Sequence, residues 1–172
     1  MKRTGIFCVI TFLILGCKYI NLNNKTIEEA DSFMIELSII VKKKDMIEIF
    51  YLDSKDNVVK FSEEKKIRKR VEGSNDVQVL SFKLPIEALS NTFRVDLGNN
   101  TKQNIVSFKN IIFYSRQGEL LVEGNEMEWF FTVNKYLKYK GSGQYQIIEV
   151  DGHIDPFIIS KPVLNKKLEI EL

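Results

Sequence analysis

The chain has 172 residues, of which 44% are hydrophobic and 28% charged, with 25 basic against 23 acidic side chains. A chain of this size and composition can bury the core of one ordinary domain without disulfides or structural metals. Setting aside the N-terminal Lys2 and Arg3 leaves 23 basic and 23 acidic side chains, and a neutral remainder gives no electrostatic reason to expect binding to nucleic acid or to an anionic membrane.

The N-terminal residues have the pattern of an export signal. Two basic residues precede the apolar run Ile6–Leu15, which stops at Gly16 and Cys17. A charged start, an apolar stretch too short to span a bilayer and a small residue at the cut site are typical of a signal peptide. The order Ile-Leu-Gly-Cys at 14–17 resembles the bacterial lipobox, in which the cysteine becomes the lipidated N-terminus.

That resemblance implies a domain organisation and a location. Residues 1–16 are predicted to be a lipoprotein signal peptide, 17–29 a lipidated tether and 30–172 a single domain. Cys17 is then diacylated, and two or more buried acyl chains tether the protein firmly to a membrane outside the cytoplasm. An ordinary secretory signal with a cysteine near the cut is the alternative. The second cysteine, Cys8, leaves with the signal, which excludes a disulfide framework, a thiolate metal site and a cysteine nucleophile.

Alternating apolar residues recur along the domain and predict strands. The clearest are Phe33–Val41, Phe93–Leu97 and Ile105–Tyr114, the last with a phase slip at Lys109-Asn110 that indicates a β-bulge or burial on both faces. About ten short strands, with turn residues roughly every 8 to 12 positions and no long helix, predict an all-β antiparallel sandwich or barrel.

Several local predictions accompany this fold class. Phe33–Val41 and Met46–Leu52 are separated by a short polar turn and are expected to pair as a β-hairpin. Ile86–Leu89 follows a proline and is expected to form a brief helical turn. Leu168–Leu172 is expected to be a closing strand.

Two consecutive strand segments resemble a known family. The order Phe-Arg-Val-Asp-Leu-Gly at 93–98, followed by Ile-Val-Ser-Phe-Lys-Asn-Ile at 105–111, is similar to a pattern in galactose-binding-like domains of the carbohydrate-binding-module type. The resemblance implies a jelly-roll-like β-sandwich, and domains of this family often recognise sugars. Because one fold hosts many functions, the binding role is an expectation of the resemblance only.

Arg94 and Asp96 are the first candidate ligand-binding residues. Two positions apart on one strand, they project from the same face. They could clamp a polar ligand, because arginine offers a fork of donors and aspartate accepts hydroxyl protons. We expect instead that they form a polar ladder on the solvated face of a sheet.

The aromatic segment near residue 130 provides the other candidates. Trp129 could stack on a sugar ring if it were exposed, but in a strand it would share a face with Phe131, and core packing is the favoured expectation. Tyr136, Tyr139 and Tyr145 lie near glycines and are predicted to be better candidates for an exposed platform.

Asp151, His153 and Asp155 are weak candidates for a metal site. Their alternate spacing would aim them in one direction only in an extended chain, whereas Gly152 and Pro156 favour a turn built from aspartate side chains. We therefore assign no metal and no cofactor, with a structural calcium ion as the one open possibility.

Three functions follow from these observations. The first is a non-catalytic, lipid-anchored module of the cell envelope that binds a glycan or a similar polar polymer. The second is a structural or assembly lipoprotein that binds an envelope protein. The third, a hydrolase built on a carboxylate pair, has no supporting motif in the sequence.

Overall fold

The computed structural model describes residues 32–52, 60–89 and 91–172. Cys17, the signal peptide and the tether therefore lie outside the described residues. The described part of the chain forms two antiparallel sheets that contain eleven strands, and helix is limited to short segments. The predicted all-β antiparallel sandwich is confirmed.

The strands of the two sheets are, in chain order, β1 Ser32–Val41, β2 Asp45–Tyr51, β3 Lys66–Val71, β4 Gln78–Pro85, β5 Phe93–Asp96, β6 Ile105–Tyr114, β7 Glu119–Glu123, β8 Phe131–Val133, β9 Leu137–Gly141, β10 Gln144–Ile147 and β11 Phe157–Ser160. The first sheet has the order β4-β1-β6-β10-β9, and β7 also pairs with β6. The second has the order β3-β2-β5-β11-β8. The middle strand of each order, β6 or β5, therefore lies between strands that are distant in sequence.

The two sheets pack face to face through aromatic side chains. Phe93 of the second sheet lies 5.7 Å, between ring centroids, from Phe113 of the first and 5.9 Å from Phe131. Phe33 stacks on Phe113 at 6.0 Å. All four rings are at most 2% exposed, so they form the centre of the core.

Three helical segments accompany the strands in the described residues. A 3₁₀ helix, Ile86–Ala88, confirms the predicted turn after Pro85. The helix α1 is a single turn, Met127–Phe130. At the C-terminus the predicted strand is wrong: Pro162–Glu171 is a helix, α2, because Leu164, Leu168 and Leu172 are buried at the spacing of four residues that a helix needs. Within the described ranges no helix combines the length and the apolar character needed to cross a bilayer.

The predicted hairpin of the first two strands is also wrong. β1 pairs with β4 and β6, whereas β2 pairs with β3 and β5 in the other sheet. The chain changes sheets between Val41 and Asp45, and the Asp45 carboxylate accepts backbone N–H bonds from Asn99 and Asn100 at 3.2 and 3.0 Å. Period-two alternation fixes which face of a strand is buried but not which strand lies beside it.

The phase slip in β6 is confirmed as a β-bulge. Ser38 of β1 pairs with Asn110, but its neighbour Ile39 pairs with Phe108, so Lys109 is the extra residue. Its carbonyl oxygen accepts the backbone N–H of Gly124 at 2.8 Å. The bulge thus joins β6 to the turn that leads into α1.

Candidate functional site

A pocket of 290 Å³ lies between an edge of each sheet, and we call it the tyrosine pocket. On one side is β8, which pairs only with β11 in the described residues; on the other are β9 and β10. Its lining includes Glu128, Phe131, Thr132, Tyr139, Tyr145 and Lys161. Strands from both sheets, α1 and the start of α2 therefore contribute to one concave site.

Tyr145 is the most deeply placed residue of the tyrosine pocket. It is 1% exposed, and its ring packs edge-on against Phe108 at 5.8 Å and lies 5.2 Å from the Tyr139 ring. Its hydroxyl has no hydrogen-bond partner among the residues that the structure describes. The fully buried side-chain oxygens and nitrogens without a partner in the described residues belong to Asn110 and Asn165, so the Tyr145 oxygen is reached from the pocket and can pair with a group that enters it.

Tyr139 supplies a second hydroxyl at the same place. The residue is half-buried, and its hydroxyl oxygen lies 3.5 Å from both the carbonyl oxygen of Gly124 and the backbone nitrogen of Gly143. Hydrogen bonds at that distance are weak, so this hydroxyl too can turn to a ligand. Burial, with the nearby Tyr139 and Glu128, raises the pKa of Tyr145, which keeps its hydroxyl protonated and able to donate.

The rim of the tyrosine pocket carries opposite charges. Glu128 is exposed, and no ion pair of its carboxylate occurs in the described ranges. The Lys161 ammonium donates to the backbone carbonyl oxygen of Glu128 at 2.6 Å. Phe131 and Val133 add apolar surface, so the pocket combines an apolar wall with several donors and acceptors.

The structure overturns the expected core position of Trp129. It is 67% exposed, because residues 127–130 form a helical turn in which Met127, fully buried, takes the core position. Strand alternation does not apply to a helix, where successive residues turn by about 100°. Trp129 does not line the tyrosine pocket, but it directly follows Glu128, which does.

The three tyrosines that were candidates for an exposed platform differ in their exposure. Tyr145 is buried, whereas Tyr136 and Tyr139 are half-buried. Tyr136 lies outside the tyrosine pocket, with the Lys135 ammonium 5.0 Å from the centre of its ring. Tyr139 and Tyr145 are cross-strand partners in β9 and β10, and this pairing brings them to one site.

Arg94 and Asp96 project from one face, and Asp96 lies in a cross-strand row of polar side chains with Glu48 and Arg68. The pair is less solvated than expected, with side chains 21% and 13% exposed.

Arg94 and Asp96 also pair with each other: Nε and Nη2 of Arg94 donate to the two carboxylate oxygens of Asp96 at 2.6 and 2.5 Å. The guanidinium also lies 4.6 Å from the Phe50 ring centre and 4.4 Å from that of Phe157. Arg94 is therefore held by Asp96 through two of its five N–H donors and by three aromatic rings, the third being Phe61 at 5.7 Å.

A second depression, of 330 Å³, lies beside this pair and holds several acids. Burial raises the pKa of Asp96, and the Arg94 guanidinium opposes that shift. Glu48, which is the cross-strand neighbour of Asp96, lies 3.1 Å from the Lys66 ammonium. Three acids of this depression bind groups of the protein itself: Asp45, Glu48 and Asp96.

The three weak metal candidates do not form a metal site. In the described segments no group of three or more His, Cys, Asp or Glu side chains could hold a metal ion. Asp151 and Gly152 have φ angles of 53° and 75° and form a turn closed by the bridge between Val150 and His153. Asp155 lies apart from them, in the second depression.

In comparisons with known proteins, no family model matches the chain, and no curated protein or solved structure shows significant similarity to it. Function must therefore be argued from the geometry of the site.

Sequence reasoning identified two lining residues of the tyrosine pocket and missed the others. Glu128 and Lys161 are 33 positions apart, and both belong to segments without a ligand-binding motif. The run of three aromatic residues that follows Glu128 was the only local signal near the site. No pattern in a single sequence shows that β8 and β9 face one another.

We expect Tyr145→Phe to leave the free energy of unfolding unchanged or to raise it by up to about 1 kcal/mol. The variant keeps the ring packing against Phe108 and removes a hydroxyl that is reached from the pocket and has no protein partner in the described structure. Urea denaturation at pH 7 measures the change. A loss of more than about 1 kcal/mol would show that the hydroxyl serves the fold.

Alkaline pH provides an internal check on the same variant. Because the folded pKa of Tyr145 is raised, the unfolded chain loses the tyrosine proton first, and wild-type stability falls as pH rises above about 10. Tyr145→Phe should show a smaller fall over that range.

Proposed function

We propose that this protein is a non-enzymatic binding module, held at the cell envelope by lipid on Cys17, that recognises a glycan through the tyrosine pocket. One observation carries the proposal: a hydroxyl on a side chain that is 1% exposed, Tyr145, lines a pocket and has no partner in the described structure. The oxygen of that hydroxyl is reached from the pocket, so a water or a ligand that enters can pair with it.

The chemistry of the pocket is suited to a sugar. A sugar ring has an apolar face and a rim of hydroxyl groups that both donate and accept. The walls offer aromatic and aliphatic surface from Phe131, Val133 and Tyr139. Tyr145 and Glu128 add a donor and an acceptor that can fix the orientation of the ring.

Trp129 supports the same function from outside the pocket. A tryptophan at 67% exposure is unusual, because large aromatic side chains are highly buried on average. Flat exposed aromatic rings stack on the apolar faces of ligands. Since Trp129 follows a lining residue of the pocket, it is positioned to contact the part of a glycan that extends outward.

The location of the module comes from the sequence. The lipobox-like residues 14–17 and the polar segment that follows Cys17 support a domain displayed from a membrane on a short tether. A binding module held in this way would meet glycans of the envelope or of its surroundings.

A glycan array probed with the full-length protein in detergent tests the proposal, followed by titration of tryptophan fluorescence with each glycan that binds. Trp129 is the only tryptophan, so any change in emission reports on its surroundings. We expect Trp129→Ala to weaken binding by about tenfold, which corresponds to about 1.4 kcal/mol.

Ile170→Ala is the matched control, because Ile170 is 70% exposed and lies on α2. It should bind as the wild type does. No binding to any glycan of a broad array would overturn the proposed function.

An assembly lipoprotein is the second candidate, and one surface favours it. On the outer face of the first sheet, Met34 pairs with Tyr114 and Ile112 with Leu121, and we call these four side chains the outer strip. Met34 and Leu121 are 37% and 44% exposed. Crosslinking in intact envelopes to a single protein through this strip, with no glycan binding, would favour assembly over glycan recognition.

A further inference from the structure

We infer that the tyrosine pocket binds one uncharged sugar ring at the end of a glycan, with a single ring hydroxyl that accepts from Tyr145 and donates to Glu128. This inference rests on the proposed function and specifies its ligand. It follows from the size of the pocket, the depth of Tyr145 and the charges at the rim.

The size of the pocket sets the number of rings. At 290 Å³ it lies at the lower limit of small-molecule sites, which range from about 300 to 1,000 Å³. A space of this size accommodates one sugar ring. Longer glycans must therefore leave the pocket, toward the exposed surface of α1.

The depth of Tyr145 sets the position of that ring in the glycan. Only 1% of this residue is exposed, so a ring must enter the pocket to reach its hydroxyl. A ring within a polymer has neighbours on both sides, and both would have to enter with it. A terminal ring has one neighbour and can enter end-on.

The polar groups set the chemistry of the ring. Glu128 is negative and has no ion-pair partner in the described residues, and its charge contributes to the raised pKa of Tyr145. The Lys161 ammonium donates to the backbone carbonyl oxygen of Glu128 and keeps its positive charge at the rim. A hydroxyl can accept from Tyr145 and donate to Glu128 at once, whereas a carboxylate placed between these two groups can only accept and would be repelled by Glu128.

The test compares two oligosaccharides that differ only in the terminal ring, one ending in a neutral hexose and one ending in the corresponding uronic acid. The neutral sequence is chosen from the glycans that bind in the array, and affinities are measured by calorimetry with the full-length protein. We expect the neutral form to bind at least tenfold more tightly. Saturation-transfer NMR should place the strongest contacts on the terminal ring.

Two variants test the assigned contacts. Glu128→Gln should weaken binding of the neutral glycan about tenfold, because an amide oxygen accepts a hydrogen bond more weakly than a carboxylate does. It should also reduce the difference in affinity between the neutral and the uronic-acid glycan, because an amide does not repel a carboxylate. Tyr145→Phe should weaken binding by about fivefold. Glu149→Gln, at an exposed glutamate away from the pocket, is the matched control and should change neither affinity.

The outcomes separate this inference from the proposed function. Suppose that glycans bind and that Trp129→Ala weakens their binding. If the uronic-acid form then binds as tightly as the neutral form, or if Glu128→Gln leaves the affinity for the neutral glycan unchanged, the inference is wrong and the proposed function stands. Strongest NMR contacts on an internal ring would also overturn the inference. If no saccharide binds at all, both fail.

Discussion

Arg94→Ala is expected to lower the free energy of unfolding by about 3 kcal/mol. The substitution leaves the Asp96 carboxylate, whose side chain is 13% exposed, without the guanidinium that pairs with it. It also uncovers the rings of Phe50 and Phe157, which Arg94 contacts. The estimate is at the lower end of the range for buried ion pairs, because Arg94 itself keeps 21% of its side chain exposed. Urea denaturation at neutral pH measures the loss.

The double variant Arg94→Ala with Asp96→Asn separates the two causes. If the unpaired carboxylate dominates, the double variant should recover at least half of the loss, because a neutral amide is less costly to bury than a charge. If packing against the two rings dominates, the double variant should be as unstable as the single one. A loss below about 1 kcal/mol for Arg94→Ala would contradict the description of this pair as structural.

This ion pair shows how a good sequence candidate can serve the fold. Its residue types and spacing fit a ligand clamp, and its location on one strand face was predicted correctly. In the structure, however, the two side chains hydrogen-bond to each other, and aromatic rings cover the guanidinium. Glu128 has the opposite character, because it lines a pocket with its carboxylate unpaired in the described chain.

The fold class could be predicted from sequence because alternation is a local property. The period of two in Phe33–Val41 reports burial of one face, and the slip at Lys109 reports the bulge directly. Pairing depends instead on contacts between distant residues. The first two strands therefore resembled a hairpin, although the structure places them in different sheets.

The candidate site was only half predictable for the same reason. The sequence indicated Tyr139 and Tyr145 as aromatic candidates. It favoured a buried Trp129, whereas in the structure Trp129 is exposed and Tyr145 is buried. A helical turn at Met127–Phe130 shifts the phase of the segment and turns Trp129 outward. Such a short helix leaves almost no periodic signal, since it contains a single turn.

Gly143→Ala is expected to have the largest effect on the tyrosine pocket, with a loss of about 3 kcal/mol or more in the free energy of unfolding. Gly143 has a φ of +75°, which costs an alanine about 1–2 kcal/mol. A Cβ there would lie 2.2 Å from the carbonyl oxygen of Phe108 and 2.9 Å from the Cα of Gly124, and backbone atoms cannot move aside without disturbing the bulge. The steric overlap therefore adds to the conformational penalty.

Gly141→Ala is a close control in the same hairpin. Gly141 also has a positive φ, +94°, but a Cβ there has no atom within 4 Å in the described structure, so its loss should stay at about 1–2 kcal/mol. The difference between the two variants measures the clash alone. Because Tyr145 is two residues beyond Gly143 and pairs with Val106 of β6, displacement of the hairpin should also weaken glycan binding in Gly143→Ala. Equal stability of the two variants would show that β10 can move away from the bulge, and that Tyr145 is held less firmly than its burial indicates.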